Sequence, residues 1–213
     1  MSTHPTDTRA AIVEAALFCF SEHGFDGTSI RMIAKRAGRP LSLIGHHFGG
    51  KEGLYREVFR SLFNPLSTAR FKAEEESSPE PRTRAEAVRQ FREQVHHFYV
   101  EVCPGTDELN ELREAGRRLW LMELRDPKPE ILELLKDRLS PWVDRVRASI
   151  RVMRPDLSEA EVCFVGTTIM GQIAGHSLTR GLSEALWGKN QLNHFKSAEL
   201  LIEFSLLGLG VTP

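Results

Sequence analysis

The chain has 213 residues, 41% hydrophobic and 27% charged, with a formal net charge of −1. That is the balance of a globular protein of one domain, or of a small domain plus a larger one. Near-neutral charge argues against a general nucleic-acid coat, and no apolar run approaches the ~20 residues needed to span a bilayer. The opening Met-Ser-Thr-His-Pro-Thr-Asp has neither a basic start nor an apolar centre, so it does not read as a secretory signal. Cys19, Cys103 and Cys163 are scattered and odd in number, as expected of reduced, packed thiols in a cytoplasmic protein.

Almost every segment shows helical rather than strand periodicity. The first predicted helix runs from about Asp7 to His23, with Ala11, Ile12, Ala15, Ala16, Leu17, Cys19 and Phe20 as its apolar stripe. Gly24 stands where a left-handed C-terminal residue belongs. Thr28 is placed to cap a second helix with Ile30, Ile33 and Ala34 turned inward, and Gly38 ends it. Pro40 fits the first turn of a third helix anchored by Leu43, Ile44 and Phe48. Gly49-Gly50 breaks the chain before a fourth helix, from Lys51 to about Glu76. Ser77-Ser78-Pro79-Glu80-Pro81 reads as a linker.

A fifth helix is predicted from about Thr83 to Cys103, a sixth from about Glu108 to Arg125, and a seventh on to about Met153, kinked or divided at Pro141. The capping box Ser158-Glu-Ala-Glu161 opens an eighth, ending near Arg180. Gly181 to Asn193 reads as looser chain before a ninth helix, His194 to about Leu209. The expectation is an all-α fold of nine helices. A helix-turn-helix unit spans residues 1–52, and a larger helical portion spans 53–213.

The two short helices around Gly38 have the layout that places a second, recognition helix in the DNA major groove. Charge agrees with this. Residues 27–60 carry seven Lys or Arg (31, 35, 36, 39, 51, 56 and 60) against Glu52 and Glu57, a local +5, while both flanking stretches sum to −3. A basic segment within a mildly acidic chain is the footprint of a phosphate-binding face, or simply a solvated helix face.

With these residues in view, the N-terminal region resembles the TetR family of bacterial transcriptional regulators. The family pattern is matched in register by Gly24-Phe25, Thr28, Ile33-Ala34, Ala37-Gly38, His47-Phe48 and Lys51-Glu52. The run Ile-Gly-His-His-Phe-Gly-Gly-Lys-Glu-Gly-Leu-Tyr looks most like the CecR-type branch, as do the Gly171-Gln172 segment and residues 203–210. Three positions depart from the pattern. Arg39 stands where Val is usual, Pro40 where Ser, Asn or Thr is usual, and Gly45 where a phosphate-touching Tyr is common. The operator sequence therefore cannot be carried over from relatives.

The resemblance implies double-stranded operator DNA as a partner. It puts Thr28, His47 and Lys51 at or near phosphate. Arg31 would reach a base edge, where Arg is the usual bidentate reader of guanine. Pro40, Leu41 and Ser42 open the recognition helix, Arg39 is a further candidate contact, and His46 is either a contact or an ordinary surface histidine. It also implies a homodimer through the helices near 158–181 and 194–210, with recognition helices about 34 Å apart, one DNA turn. The middle helices would enclose a pocket for a small hydrophobic or amphipathic effector. Its candidate lining is Phe91, Phe98, Tyr99, Leu119, Trp120, Met122, Met153, Met170 and Gln172, with His96, His97 and His176 as possible polar partners. Such side chains at helical spacing are also ordinary core.

No enzyme is expected, since the chain has no Gly-x-Ser-x-Gly, phosphate loop or metal-spaced Cys/His pair. No cofactor, metal or membrane partner is expected either. The reading is a ligand-responsive repressor that binds a palindromic operator as a dimer. The alternative is a helical ligand- or partner-sensing adaptor that does not bind DNA sequence-specifically.

Overall fold

A computed structural model of the chain describes residues 8–62, 79–103, 111–125, 127–188 and 192–211, all of them helix or connecting turns. Ten helices follow in order among the described residues: α1 (Thr8–Gly27), α2 (Ile30–Ala37), α3 (Ser42–Phe48), α4 (Lys51–Leu62), α5 (Arg84–Val102), α6 (Glu111–Arg125), α7 (Pro129–Met153), α8 (Glu159–Leu178), α9 (Arg180–Trp187) and α10 (His194–Gly208). None is long and apolar enough to cross a membrane.

The sequence-predicted helices appear with small shifts at their ends. The expected extension of the fourth helix to Glu76 and the stop at Pro104-Gly105 lie outside the described residues. The ninth predicted helix is α10, capped by the Asn193 side chain, which accepts from the Lys196 N–H at 2.8 Å. Much of the loose stretch expected from Gly181 to Asn193 is instead α9 (Arg180–Trp187), so ten helices rather than nine stand among the described residues. The glycines at 181 and 188 masked the pattern: Leu182 and Leu186 lie between them at the i, i+4 spacing of a helix. Both capping boxes form. Thr83 and Glu86 close one at the start of α5, and Ser158 and Glu161 close the other at α8. Pro141 sits inside a continuous α7.

The cap of α2 corrects the expectation for Thr28. The N-cap is Ser29, whose hydroxyl accepts from the Met32 N–H at 3.2 Å. Thr28 is buried, and its hydroxyl points back at the carbonyls of Gly24 (2.7 Å) and Cys19 (3.0 Å). It ties the end of α1 to the start of α2. The chain can turn there because Gly24 takes a φ of 68°, which side-chain-bearing residues disfavour.

The chain divides into two compact units, Met1–Glu74 with Leu109–Arg138, and Glu75–Glu108 with Leu139–Pro213. The first unit joins the helix-turn-helix to α4, α6 and the first turns of α7. Its core stacks Ile12, Ala16 and Phe20 of α1 with Ile33 of α2, Ile44 of α3, Leu54, Val58 and Phe59 of α4, Leu119 of α6 and Ile131 of α7, all fully buried. The second unit packs Phe91 and Val95 of α5, Trp142 and Ile150 of α7, Ile173 of α8 and Ile202 of α10. The Trp142 indole N–H donates to the Gln94 carbonyl at 3.0 Å. Each unit thus has its own apolar core, the term that dominates folding free energy.

One polar group is embedded in the first core. Glu123 of α6 is 5% exposed. One of its oxygens accepts the Tyr55 hydroxyl at 2.5 Å and the other accepts the Lys128 backbone N–H at 2.9 Å. Burial first, and then the bond to Glu123, push the Tyr55 phenol well above its ordinary pKa. Tyr55 also meets Phe20 and Phe25 of α1 edge-on, at centroid separations of 4.7 and 4.8 Å.

Gly53 fixes a second joint. A Cβ at this position would overlap the Phe48 carbonyl oxygen, so only glycine lets α4 approach the end of α3 this closely.

Two outcomes test these joints. Tyr55→Phe should cost about 1–3 kcal/mol in urea unfolding, because it leaves a buried carboxylate oxygen without its donor. Since burial and the bond to Glu123 raise the Tyr55 phenol above its ordinary pKa of about 10, native stability carries a contribution present below pH 10 and lost as pH rises beyond it. The Phe variant should lack that alkaline component. Gly53→Ala should cost about 1–3 kcal/mol through overpacking, and an unchanged urea midpoint would refute the contact.

Candidate nucleic-acid interface

The helix-turn-helix is α2, a turn, and α3. Gly38 ends α2 with φ 61° and ψ 34°, the left-handed geometry that glycine adopts without a Cβ clash. The Arg39 N–H then returns to the Ala34 carbonyl at 3.1 Å, which closes the turn. Pro40 precedes α3 by two residues rather than lying in its first turn, and its carbonyl accepts from the Leu43 N–H at 3.1 Å. Ile33, Ala34 and Ile44 are buried and hold both helices on the core. The opposite faces are left to solvent.

That outer face carries most of the candidate contacts. Arg31, Pro40, Leu41, Ser42, His46 and His47 are exposed, while Arg39 and Lys51 are partly buried. The two histidine rings lie 5.1 Å apart, edge to face. Thr28 is the exception, since its buried side chain is directed into the fold rather than toward a partner. The basic segment also sorts itself. Arg36 is paired with Glu22 at 3.2 Å and lies over the Phe18 ring, and Arg60 is paired with Glu57 at 3.6 Å. Arg31, Lys35, Arg39 and Arg56 make no ion pair among the described residues. The local positive charge therefore remains available on the surface instead of being consumed internally.

Two cations on this side are positioned by aromatic rings. The Lys51 ammonium sits 4.3 Å from the Phe25 centroid, at the first residue of α4. The Lys128 ammonium lies 4.7 Å from the same ring. Arg9 of α1 is 5.5 Å from the Phe48 ring and pairs with Glu57 at 2.8 Å. The Arg39 Nε is enclosed and has no hydrogen-bond partner among the described residues, which leaves a polar atom of the turn unspent. The α4 N-terminus presents backbone N–H groups and the positive end of a helix dipole beside Lys51. Gly45 on α3 has no atom within 4 Å of where a Cβ would lie, so the position that commonly holds Tyr is open space.

The residues expected to line an effector pocket do not form one set. Phe91, Phe98, Tyr99 and Met153 are buried together in the second unit, with Met170 packed against them. Leu119 is buried in the first unit, where Trp120 packs partly buried and Met122 is 48% exposed. Gln172 lies in an open groove of about 330 Å³ with His176, Leu192, Ser197, Leu200, Leu201 and Phe204. A smaller groove of about 140 Å³ runs along α7 and α8, lined by Trp142, Val146, Ile150, Cys163 and Met170 among others. The Tyr99 hydroxyl and His176 Nδ1 are 3.2 Å apart. Sequence reasoning missed two polar atoms. The Gln94 Oε1 and the Ser149 hydroxyl, both in the second unit, are buried without a hydrogen-bond partner among the described residues. Nothing in the spacing singled them out, because a lone polar residue on a helix face looks like a solvated one.

Comparison with known proteins agrees with this geometry. Residues 12–58 match the family model described as bacterial regulatory proteins, tetR family. A relative, the HTH-type transcriptional repressor AcnR of Corynebacterium glutamicum, is 41% identical over 56 residues, which cover 26% of this chain and 30% of the relative. The chain thus spans about a third of that relative's length. Two solved structures resemble the chain more broadly. The transcriptional regulator FadR of Bacillus subtilis, in complex with stearoyl-CoA, is 15% identical at a TM-score of 0.62 and covers 93% of this chain and 98% of its own. AibR, in complex with isovaleryl coenzyme A and operator DNA, is 16% identical at a TM-score of 0.64, with 93% and 97% covered. At such identities the likeness extends to the fold alone. Through its helix-turn-helix segment, residues 12–58, the chain is similar to bacterial regulatory proteins of the tetR family.

Proposed function

We propose that the chain is a cytoplasmic, dimeric transcriptional repressor that binds a palindromic operator and releases it when a small amphipathic molecule enters the second unit. The observation that carries the DNA-binding half is the exposed face of α2 and α3. It leaves Arg31, Lys35 and Arg39 without an ion pair among the described residues, while Glu22 and Glu57 are paired with Arg36, Arg9 and Arg60.

Contacts divide by chemistry. Lys51, His47 and the N–H groups opening α4 are suited to phosphate. Arg31 and Arg39 flank the recognition helix as candidate readers of base edges. Leu41, 41% exposed, offers only apolar contact such as a thymine methyl. Pro40, Ser42 and His46 complete the contact face. Thr28 serves as a positioning anchor, its hydroxyl bonded to the Cys19 and Gly24 carbonyls.

Dimerisation is supported by exposed apolar side chains on α8 and α10: Phe164 (73%), Phe204 (68%) and Leu207 (63%). Monomers rarely leave such patches to water. The effector site we assign to the second unit, around Phe91, Phe98, Tyr99, Met153 and Met170. Gln94 Oε1 and the Ser149 hydroxyl would be the polar atoms that a ligand satisfies. The acyl-coenzyme A molecules named for two structural neighbours are amphipathic, and acyl chains joined to a polar carrier form the first class to test. The domain division that follows is a reader in residues 1–52 and a sensing and dimerising portion in 53–213. An effector can shift DNA affinity only by its difference in affinity for the two states.

Two measurements test this reading. In operator titrations across salt concentrations, Lys51→Ala should weaken all sequences alike and reduce the slope of log K against log salt by about 1. Arg31→Ala should cost about 1–3 kcal/mol on the cognate operator and little on random DNA; equal losses on both would remove Arg31 as a base reader. In a panel of acyl-coenzyme A thioesters, a true effector at a hundred times its Kd should raise stability by about 2.7 kcal/mol. Combining Gln94→Leu with Ser149→Ala should abolish that rise while leaving the unliganded protein folded. No stabilisation by any member of the panel would exclude this ligand class.

A further inference from the structure

Phe25 gathers two lysines that lie far apart in the chain. The Lys51 ammonium is 4.3 Å from its ring centroid and the Lys128 ammonium 4.7 Å, so both are attracted by one ring. Neither lysine enters an ion pair among the described residues. Asp26, Glu52 and Glu130 are close to them in sequence and are paired with neither. Two like charges held on one ring repel each other. With no carboxylate joining them, the pair is short of an anion.

The backbone that carries Lys128 is held on both sides. Its N–H donates to Glu123 Oε2 at 2.9 Å, and its carbonyl accepts from the Ile131 and Leu132 N–H groups at 2.9 and 2.8 Å as α7 begins. Pro127 and Pro129 flank it and have fixed φ angles of their own. Glu123 is anchored in turn by the Tyr55 hydroxyl, and the Tyr55 ring meets Phe25 edge-on. Turn, carboxylate and ring are one braced assembly inside the first compact unit. A cation on an already ordered backbone loses less freedom when it binds. Lys51 opens α4 and Lys128 immediately precedes α7, so each stands at a helix N-terminus, where the dipole adds positive potential.

We propose that Lys128 is a DNA-backbone contact: together with Lys51 it holds a phosphodiester group beside Phe25, although it lies outside the helix-turn-helix. This contact rests on the DNA-binding reading above and carries the reader past residues 1–52 to the turn between α6 and α7. Duplex DNA is favoured over a free anion by the place of Lys51. Only Gly49 and Gly50 separate it from the recognition helix α3, so an anion shared with Lys51 lies next to the exposed α2–α3 face.

Fluorescence anisotropy of a random-sequence DNA duplex, titrated with the full chain across salt concentrations, tests the contact, since phosphate binding carries no sequence information. Lys128→Ala should reduce the slope of log K against log salt by about 1, and Lys128→Arg should keep the wild-type slope. The alanine variant retains the backbone N–H that Glu123 accepts, so its urea midpoint should stay near wild type. Lys128→Gln, which keeps most of the side-chain stem, gives the same reading should the alanine variant fail to fold. Lys136→Ala is the control: its ammonium is paired with Glu133 at 2.8 Å, and its removal should leave the slope unchanged. A wild-type slope in both Lys128→Ala and Lys128→Gln would overturn the contact and leave DNA binding standing. Equal slope losses at positions 128 and 136 would also overturn it, because net charge alone would then account for them. Failure of the wild type to bind any duplex would overturn both readings.

Discussion

A carboxylate inside an apolar core must be fully hydrogen-bonded or it unfolds what surrounds it. Glu123 meets that demand with one donor from α4 and one from the turn into α7. The consequence is mechanical. α6 cannot slide along α1 or α4 without leaving a charge unpaired, so these helices keep one register. Tyr55 then carries the constraint to α1 through its ring contacts with Phe20 and Phe25. Gly53 carries it to α3 by letting the backbones touch. The short recognition helix, seven residues long, has little stability of its own. It is held where it is by this chain of joints.

The same unit shows how a nearly neutral chain presents a positive face. Two of its acidic side chains are placed on particular bases: Glu22 on Arg36, and Glu57 on Arg9 and Arg60. The bases left over cluster on the side where Ile33 and Ile44 do not point. Burial of the apolar stripe therefore decides where the charge goes. Aromatic rings do the finer placement, since Phe25 sits beneath both Lys51 and Lys128.

Much of this was legible in the sequence. The apolar stripes of α1 and α2, the capping boxes at Thr83 and Ser158, and the glycine at 38 each leave a local signature, because each acts over one or two helical turns. What was not legible acts across distance or by subtraction. Tyr55 and Glu123 are 68 residues apart, and nothing local marks them as a pair. Thr28 and Ser29 are both good caps, and the choice between them depends on how α1 ends at Gly24. Helix α9 was hidden because its leucines, with no core beneath them, are bracketed by glycines that read as loop. The lining set for an effector mixed residues of two compact units, since helical spacing shows that a face is apolar but not which core it joins.

The empty space beside Gly45 has a consequence for how such a reader changes over generations. A Cβ added there meets no atom of another part of the fold within 4 Å, and replacing a helical glycine removes unfolded-state freedom rather than a native contact. New contacts to a phosphate or a base can therefore be gained at this position without any compensating change elsewhere. Ile44 of the same helix is fully buried in the core, and altering it risks the fold. Position 45 is instead a point at which binding strength and structural stability can drift independently, so a descendant could acquire a different operator preference in a single substitution.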